Sequence, residues 1–124
     1  MNSTTLSDLY QVSNSDQPVK LKIEIGYGHN ANTKLILDHT PVPGPGPEGS
    51  FVRSFETLLG ANRDLFGKDL LMTTVVMVIP DLPKTTSLKI GISGGVSPYA
   101  ETLESNETEE GGVVTYGVNI RFYK

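Results

Sequence analysis

Three stretches of this chain alternate apolar and polar residues with a period of two, and that pattern restricts its fold more than any other feature. Val19, Leu21, Ile23, Ile25 and Tyr27 interleave with Lys20, Lys22 and Glu24. Leu88, Ile90 and Ile92 interleave with Ser87, Lys89 and Gly91, and Val114, Tyr116, Val118, Ile120 and Phe122 with Thr115, Gly117, Asn119 and Arg121. Successive side chains of an extended chain point to opposite faces, so each stretch is predicted to be a strand with one buried and one wet side. On that reading Tyr27 falls in phase with the buried side of its strand.

The remaining segments fit the same architecture. Leu70 to Ile79 is apolar on both sides and rich in Val and Thr, which predicts a strand covered on both faces. Lys34 to His39 is predicted to return from a Gly-Asn turn as the second arm of a hairpin. Ser50 to Leu59 is predicted to be a strand ending in a loop at Gly60 to Asp64. Ser97-Pro98 offers a cap and a first helical residue, so a short helix is expected there. The 124 residues include 13 Gly and 8 Pro, more than a helical bundle tolerates. Together these point to an all-β fold, a two-layer antiparallel β-sandwich of about 6–8 strands with at most one or two short helical turns. A small β-barrel is the alternative.

Residues 1–17 are polar, with Leu6, Leu9 and Tyr10 at helical spacing, and are expected to form a flexible arm or one short helical turn. Residues 18–124 are expected to be a single domain, interrupted by a Pro/Gly-rich connector at 41–50. Four prolines between Pro41 and Pro47 exclude both a helix and a central strand there. Such a connector suits a crossover between sheets; recognition by a proline-binding domain is the other use of such a segment.

Composition narrows function chiefly by exclusion. There is no Cys, hence no disulfide, thiolate metal site or cysteine nucleophile. The formal net charge is −4 and the basic residues are scattered, which argues against nucleic acid as a partner. No apolar run approaches the roughly 20 residues of a membrane-spanning helix. The first residues lack the basic and apolar regions of a secretory leader, so a cytoplasmic location is the expectation.

Two short motifs resemble enzyme signatures. Gly26-Tyr27-Gly28-His29-Asn30-Ala31 fits G-x-G-x-x-G/A after a strand, yet the residues that follow are β-like and leave no room for the phosphate-binding helix. Gly91-Ile92-Ser93-Gly94-Gly95 fits G-x-S-x-G, but both histidines, His29 and His39, precede Ser93, unlike the order of a nucleophile elbow. Both are more simply glycine turns. Asp38 and His39 are adjacent, so on a strand they would face opposite ways and could not share an ion. Neither a metal site nor a cofactor is expected; the glutamates between 101 and 110 are expected to be a solvated charge run, with weak cation binding as the alternative.

The leading expectation is therefore a non-catalytic interaction module. It would be a subunit of a larger assembly or an adaptor, binding a protein partner or itself through loops or a sheet edge, with Val113–Tyr123 as the edge if that strand is not central. The second is a small-ligand or carbohydrate-binding domain using Tyr99, His29 and Asn30, provided loops 26–33, 60–67 and 93–100 gather at one end. A serine hydrolase centred on Ser93 is third.

Overall fold

The computed structural model describes residues 2–42, 51–106 and 112–124. It contains strands β1 (Asn2–Gln11), β2 (Pro18–Ile25), β3 (Asn30–Leu37), β4 (Thr40–Val42) and β5 (Ser54–Ala61). A single helical turn, α1 (Asn62–Leu65), precedes β6 (Asp69–Met77), β7 (Thr86–Ser93), β8 (Tyr99–Ser105) and β9 (Val113–Tyr123). One sheet has five strands in the order β1-β9-β6-β3-β4 and the other four in the order β5-β2-β7-β8. Both are open, so the molecule is a sandwich and not a barrel. Every pairing is antiparallel except that of β1 with β9, which is parallel.

The nine strands among the described residues exceed the expected 6–8 because polar segments contribute edges. The N-terminal segment, expected as an arm or a helical turn, is a ten-residue strand. Its Leu6 and Tyr10 lie on one side by strand parity as well as by helical spacing, and β9 supplies the ladder that decides between them. The segment after Ser97-Pro98 is strand β8, not a helix, because β7 offers it a hairpin partner. Pro41 belongs to the short edge strand β4, where a missing N–H can face away from the sheet. The rest of the proline-rich connector lies outside the described residues.

The alternation fills the space between the sheets. Val19, Leu21, Ile23 and Ile25 of β2 and Leu88, Ile90 and Ile92 of β7 form one wall of the core. Leu70, Met72 and Val76 of β6 and Val114, Tyr116, Val118, Ile120 and Phe122 of β9 belong to the other sheet and the same cluster. Each such side chain is worth about 1.5–3 kcal/mol when fully buried. The hydroxyls caught inside find one another, as burial requires. Thr33 Oγ1 lies 3.0 Å from Thr74 Oγ1 across the β3–β6 ladder, and Thr86 Oγ1 lies 2.6 Å from the Tyr116 hydroxyl between the layers.

β9 is central in its sheet, between β1 and β6, so it offers no free edge. Tyr27 is not on the buried side either. β2 stops at Ile25, and Tyr27 turns outward with a φ of 59°, 44% exposed. Asp38 and His39 are the two-residue turn joining β3 to β4; both have positive φ, as the right-handed twist of such a hairpin demands.

One buried polar side chain secures each end of the sandwich. At the end where β2 begins, the fully buried Asn62 accepts from the Ser13 amide at 3.1 Å and donates to the carbonyls of Gln17 at 2.7 Å and Gly94 at 2.8 Å. At the opposite end His29, also fully buried, accepts from the Ile79 amide through Nδ1 at 3.1 Å. Its Nε2 therefore carries the proton and donates to the Pro83 carbonyl at 2.7 Å. Replacing Asn62 with the near-isosteric Leu leaves the part-buried Ser13 amide and Gly94 carbonyl without this partner, while the Gln17 carbonyl keeps the residue-62 backbone amide at 3.0 Å. Asn62→Leu is expected to lower unfolding stability by about 2–4 kcal/mol in urea titrations, with the midpoint moved and the slope unchanged.

Candidate functional site

The registers decide first whether the anticipated ligand loops meet. β2 runs from Pro18, opposite Ala61, to Ile25, opposite Leu88; Ser93 lies opposite Lys20. Loops 60–67 and 93–98 therefore share the end where β2 begins, joined by Asn62. The 26–29 turn lies at the other end, beyond roughly 17 Å of strand between Lys20 and Ile25. His29, Asn30 and Tyr99 do not converge. Both ring nitrogens of His29 are engaged with backbone, and half-buried Asn30 lies opposite Met77 on the outward side of the five-stranded sheet.

Tyr99 is half-buried beside β1. Its hydroxyl donates to Asp8 Oδ2 at 2.8 Å, and its ring meets Tyr10 edge-on at 6.4 Å between centroids. Burial, then the hydrogen bond and charge of Asp8, then the charge of Glu101 push the hydroxyl far above the ordinary phenol range. Burial also raises the Tyr116 hydroxyl, against the opposing effect of its Thr86 hydrogen bond.

Gly28, Gly94 and Gly95 of the two short motifs have conformational or steric explanations. Tyr27 and Gly28 turn the chain from one sheet to the other with successive positive φ values, 59° and 82°, and no helix follows. Gly94 has a φ of 96°, and a Cβ there would collide with the Pro18 carbonyl. A Cβ on Gly95 would lie 2.5 Å from the Tyr10 ring and 2.7 Å from the Gln11 carbonyl. The Gly95 amide in turn donates to the Tyr10 hydroxyl at 2.9 Å. Ser93 is the exposed end of β7 as it enters this tight hairpin, with His29 at the far end of the sandwich and His39 in the β3–β4 turn of the other sheet. Among the described residues no three His, Asp or Glu side chains gather as a metal site would need. Glu101 and Glu104 are exposed on β8, and the rest of the acidic run, residues 107–110, lies outside the described residues.

The feature that sequence reasoning missed is the contrast between the two outer faces. The four-stranded sheet turns charge to solvent: Lys20 and Lys22 reach Glu56 at 3.5 and 3.9 Å, and Lys22 reaches Glu24 at 3.1 Å. Exposed pairs of this kind contribute roughly 0–1 kcal/mol each, so their chief consequence is a wet surface. The outer face of the five-stranded sheet is different. Across it run the rows Ile36, Leu71, Asn119 and Ser7; Lys34, Thr73, Gly117 and Thr5; and Asn32, Val75, Thr115 and Ser3. Its described charges are Lys34 and, at one end, the Asp69–Arg121 ion pair at 3.1 Å. Leu71 is 47% exposed, Met77 44% and Ile36 40%. A shallow groove of about 390 Å³, lined by Ser7, Leu9, Asp69, Asn119 and Arg121 among others, opens beside them.

β6 was expected to be covered on both sides; only its inner side is. Leu71 and Met77, with half-buried Val75 between them, are the half of its apolar pattern that is left exposed among the described residues. The signal was present in the sequence, but a doubly apolar strand and an unpartnered apolar face have the same local pattern.

The architecture places the protein among two-layer β-sandwich domains. No known protein family, curated protein or solved structure matches the chain. No helix among the described residues is long and apolar enough to cross a membrane.

Two measurements check these assignments. Gly95→Ala is expected to cost several kcal/mol, about 3 or more, because ring and backbone must both move. Gly91→Ala, whose Cβ would meet nothing closer than 3.9 Å, is expected to change stability by about 0.5–1 kcal/mol at most. In alkaline titration followed by tyrosine absorbance, Tyr99 and Tyr116 should lag behind the other tyrosines. Because their hydroxyls bind protons more tightly folded than unfolded, stability is fully present below the ordinary phenol value near 10 and falls as pH rises above it. Tyr99→Phe should flatten that alkaline decline.

Proposed function

We propose that this domain is a non-catalytic protein-interaction module, one component of a larger assembly, and that it docks through the outer face of its five-stranded sheet. The observation that carries this reading is the exposed apolar side chains on the outer face of β3 and β6, adjacent Ile36 and Leu71 and, farther along β6, Met77, among Thr, Asn and Ser side chains with Lys34 and the Asp69–Arg121 pair as the described charges. A sheet with one wet side normally alternates apolar inward and polar outward. The four-stranded sheet follows that rule except at Leu58, 60% exposed opposite Lys20, whereas the five-stranded sheet departs from it at Ile36, Leu71 and Met77. Contiguous exposed apolar side chains with a polar rim mark interaction surfaces. The amide and hydroxyl groups among them allow hydrogen bonding without the desolvation cost of charge.

The partner chemistry that suits this face is a flat, largely uncharged protein surface. Sugars are recognised chiefly by aromatic stacking, and the central rows of the face carry no aromatic residue. A polar small molecule is the second reading, supported by the groove in which Asn119 lies beside the Asp69–Arg121 pair.

Leu71→Asp tests the leading reading. The side chain is exposed, so the variant should keep its circular dichroism spectrum and remain within about 0.5–1 kcal/mol of the parent. In affinity capture from native extract, it should lose a partner that the parent and Lys22→Ala both retain. Retention of every captured protein by Leu71→Asp would overturn this use of the face. Selective loss with Asn119→Ala of a metabolite or glycan found by ligand screening would favour the groove.

A further inference from the structure

We infer that β1 is a self-pairing edge: two copies of the chain join antiparallel along Ser3–Ser7, centred on Thr5, and merge their five-stranded sheets into one of ten strands. Among the described residues the two sheets end in four edges, and unwanted pairing is commonly blocked by short length, proline, charge or a bulge. β4 is three residues long and contains Pro41. β5 carries Glu56 and meets β2 through a register shift at Val19/Lys20. β8 carries Glu101 and Glu104. β1 has ten residues, and from Ser3 to Ser7 it has neither charge nor proline.

The backbone of β1 shows which groups face outward. The Val12 amide donates inward to the Tyr123 carbonyl at 2.7 Å, whereas the Gln11 carbonyl accepts from Val96, on the β8 side, at 3.1 Å. Backbone groups alternate in direction along a strand, so Ser3, Thr5, Ser7 and Leu9 direct theirs away from β9. The Leu9 amide is already capped by the Asp8 carboxylate at 2.8 Å, which is itself fixed by Tyr99. Asp8 and the β7–β8 hairpin thus close the edge from Leu9 onward and leave Ser3, Thr5 and Ser7 open.

Those limits set the register. An antiparallel pair that uses all three open residues and avoids Leu9 places Thr5 opposite Thr5 of the second copy, and Ser3 opposite Ser7. It would form about six backbone hydrogen bonds. A two-fold axis puts each residue opposite the same segment, so any charge there would meet its own kind; this segment has none. Hydroxyl pairs across strands are favourable, and the arrangement closes as a dimer instead of propagating.

The chain has no cysteine, which makes an introduced one diagnostic. At the two-fold position Cα atoms of a hydrogen-bonded pair lie about 5.5 Å apart, within disulfide range. Under mild oxidation Thr5→Cys should form covalent dimers about tenfold faster or more than Ser93→Cys, an exposed control on the other sheet. Ser7→Cys alone should match the control, whereas Ser3→Cys mixed with Ser7→Cys should cross-link. Thr5→Pro removes an amide that points away from β9. It should shift light-scattering mass toward monomer at high concentration with an unchanged circular dichroism spectrum. Thr5→Cys cross-linking no faster than Ser93→Cys would overturn the inference, as would a folded Thr5→Pro that associates like the parent. Leu71→Asp should leave Thr5→Cys cross-linking intact, so failure of the face and failure of the edge are distinguishable.

Discussion

The contact between the inner faces of the two sheets is the interaction on which everything else in this molecule rests. β2 and β7 press Leu21, Ile23, Leu88, Ile90 and Ile92 against side chains of β6 and β9, and most of the core lies in that layer. Apolar burial drives the association but does not by itself choose a register or close the ends. Those tasks fall to a few buried polar groups. Asn62 ties the β1–β2 connection and the β7–β8 hairpin to its own turn at one end, and His29 binds two residues of another loop at the opposite end; Thr86 and Tyr116 are matched hydroxyls between the layers. A buried amide or imidazole left unpaired costs more than its bond contributes, so these side chains discriminate against wrong arrangements.

Outside the core the two sheets diverge. The Lys and Glu residues of β2 and β5 make one surface that water solvates well. The rows around Leu71 and Thr73 make another with little charge to keep other surfaces away. A domain that needed only to be soluble would gain from charge on both. The uncovered half of β6 and the unguarded span of β1 belong to the same sheet, so a neighbour docked on the face and a second copy joined at the edge would occupy adjacent parts of one continuous structure. Ser93, His29 and His39 are dispersed over separate parts of the fold.

The chemistry-like motifs show how local pattern misleads when it is taken without neighbours. Gly95 is required by the Tyr10 ring and the Gln11 carbonyl, groups more than 80 residues away in sequence. Nothing near Gly91-Ile92-Ser93-Gly94-Gly95 in the chain announces that constraint, so the spacing imitates a nucleophile elbow. His29 looked available because turn residues usually are exposed. It is buried because the loop containing Ile79 and Pro83 folds over it and uses both nitrogens.

The all-β class and the inward faces of β2, β7 and β9 were legible in the sequence, since a period of two is a local stereochemical property of extended chain and needs no partner to be read. The same reading placed the turn at Gly28, where backbone preference is again local, but carried the following strand through Asp38-His39, which the structure makes a turn. What the tertiary structure alone decided is who lies beside whom. It made polar Asn2–Gln11 a strand by giving it β9, put β9 in the interior of its sheet, and left the outer side of β6 without a cover. Those outcomes depend on contacts between residues distant along the chain, whose energies belong to pairs and leave no trace in either segment read by itself.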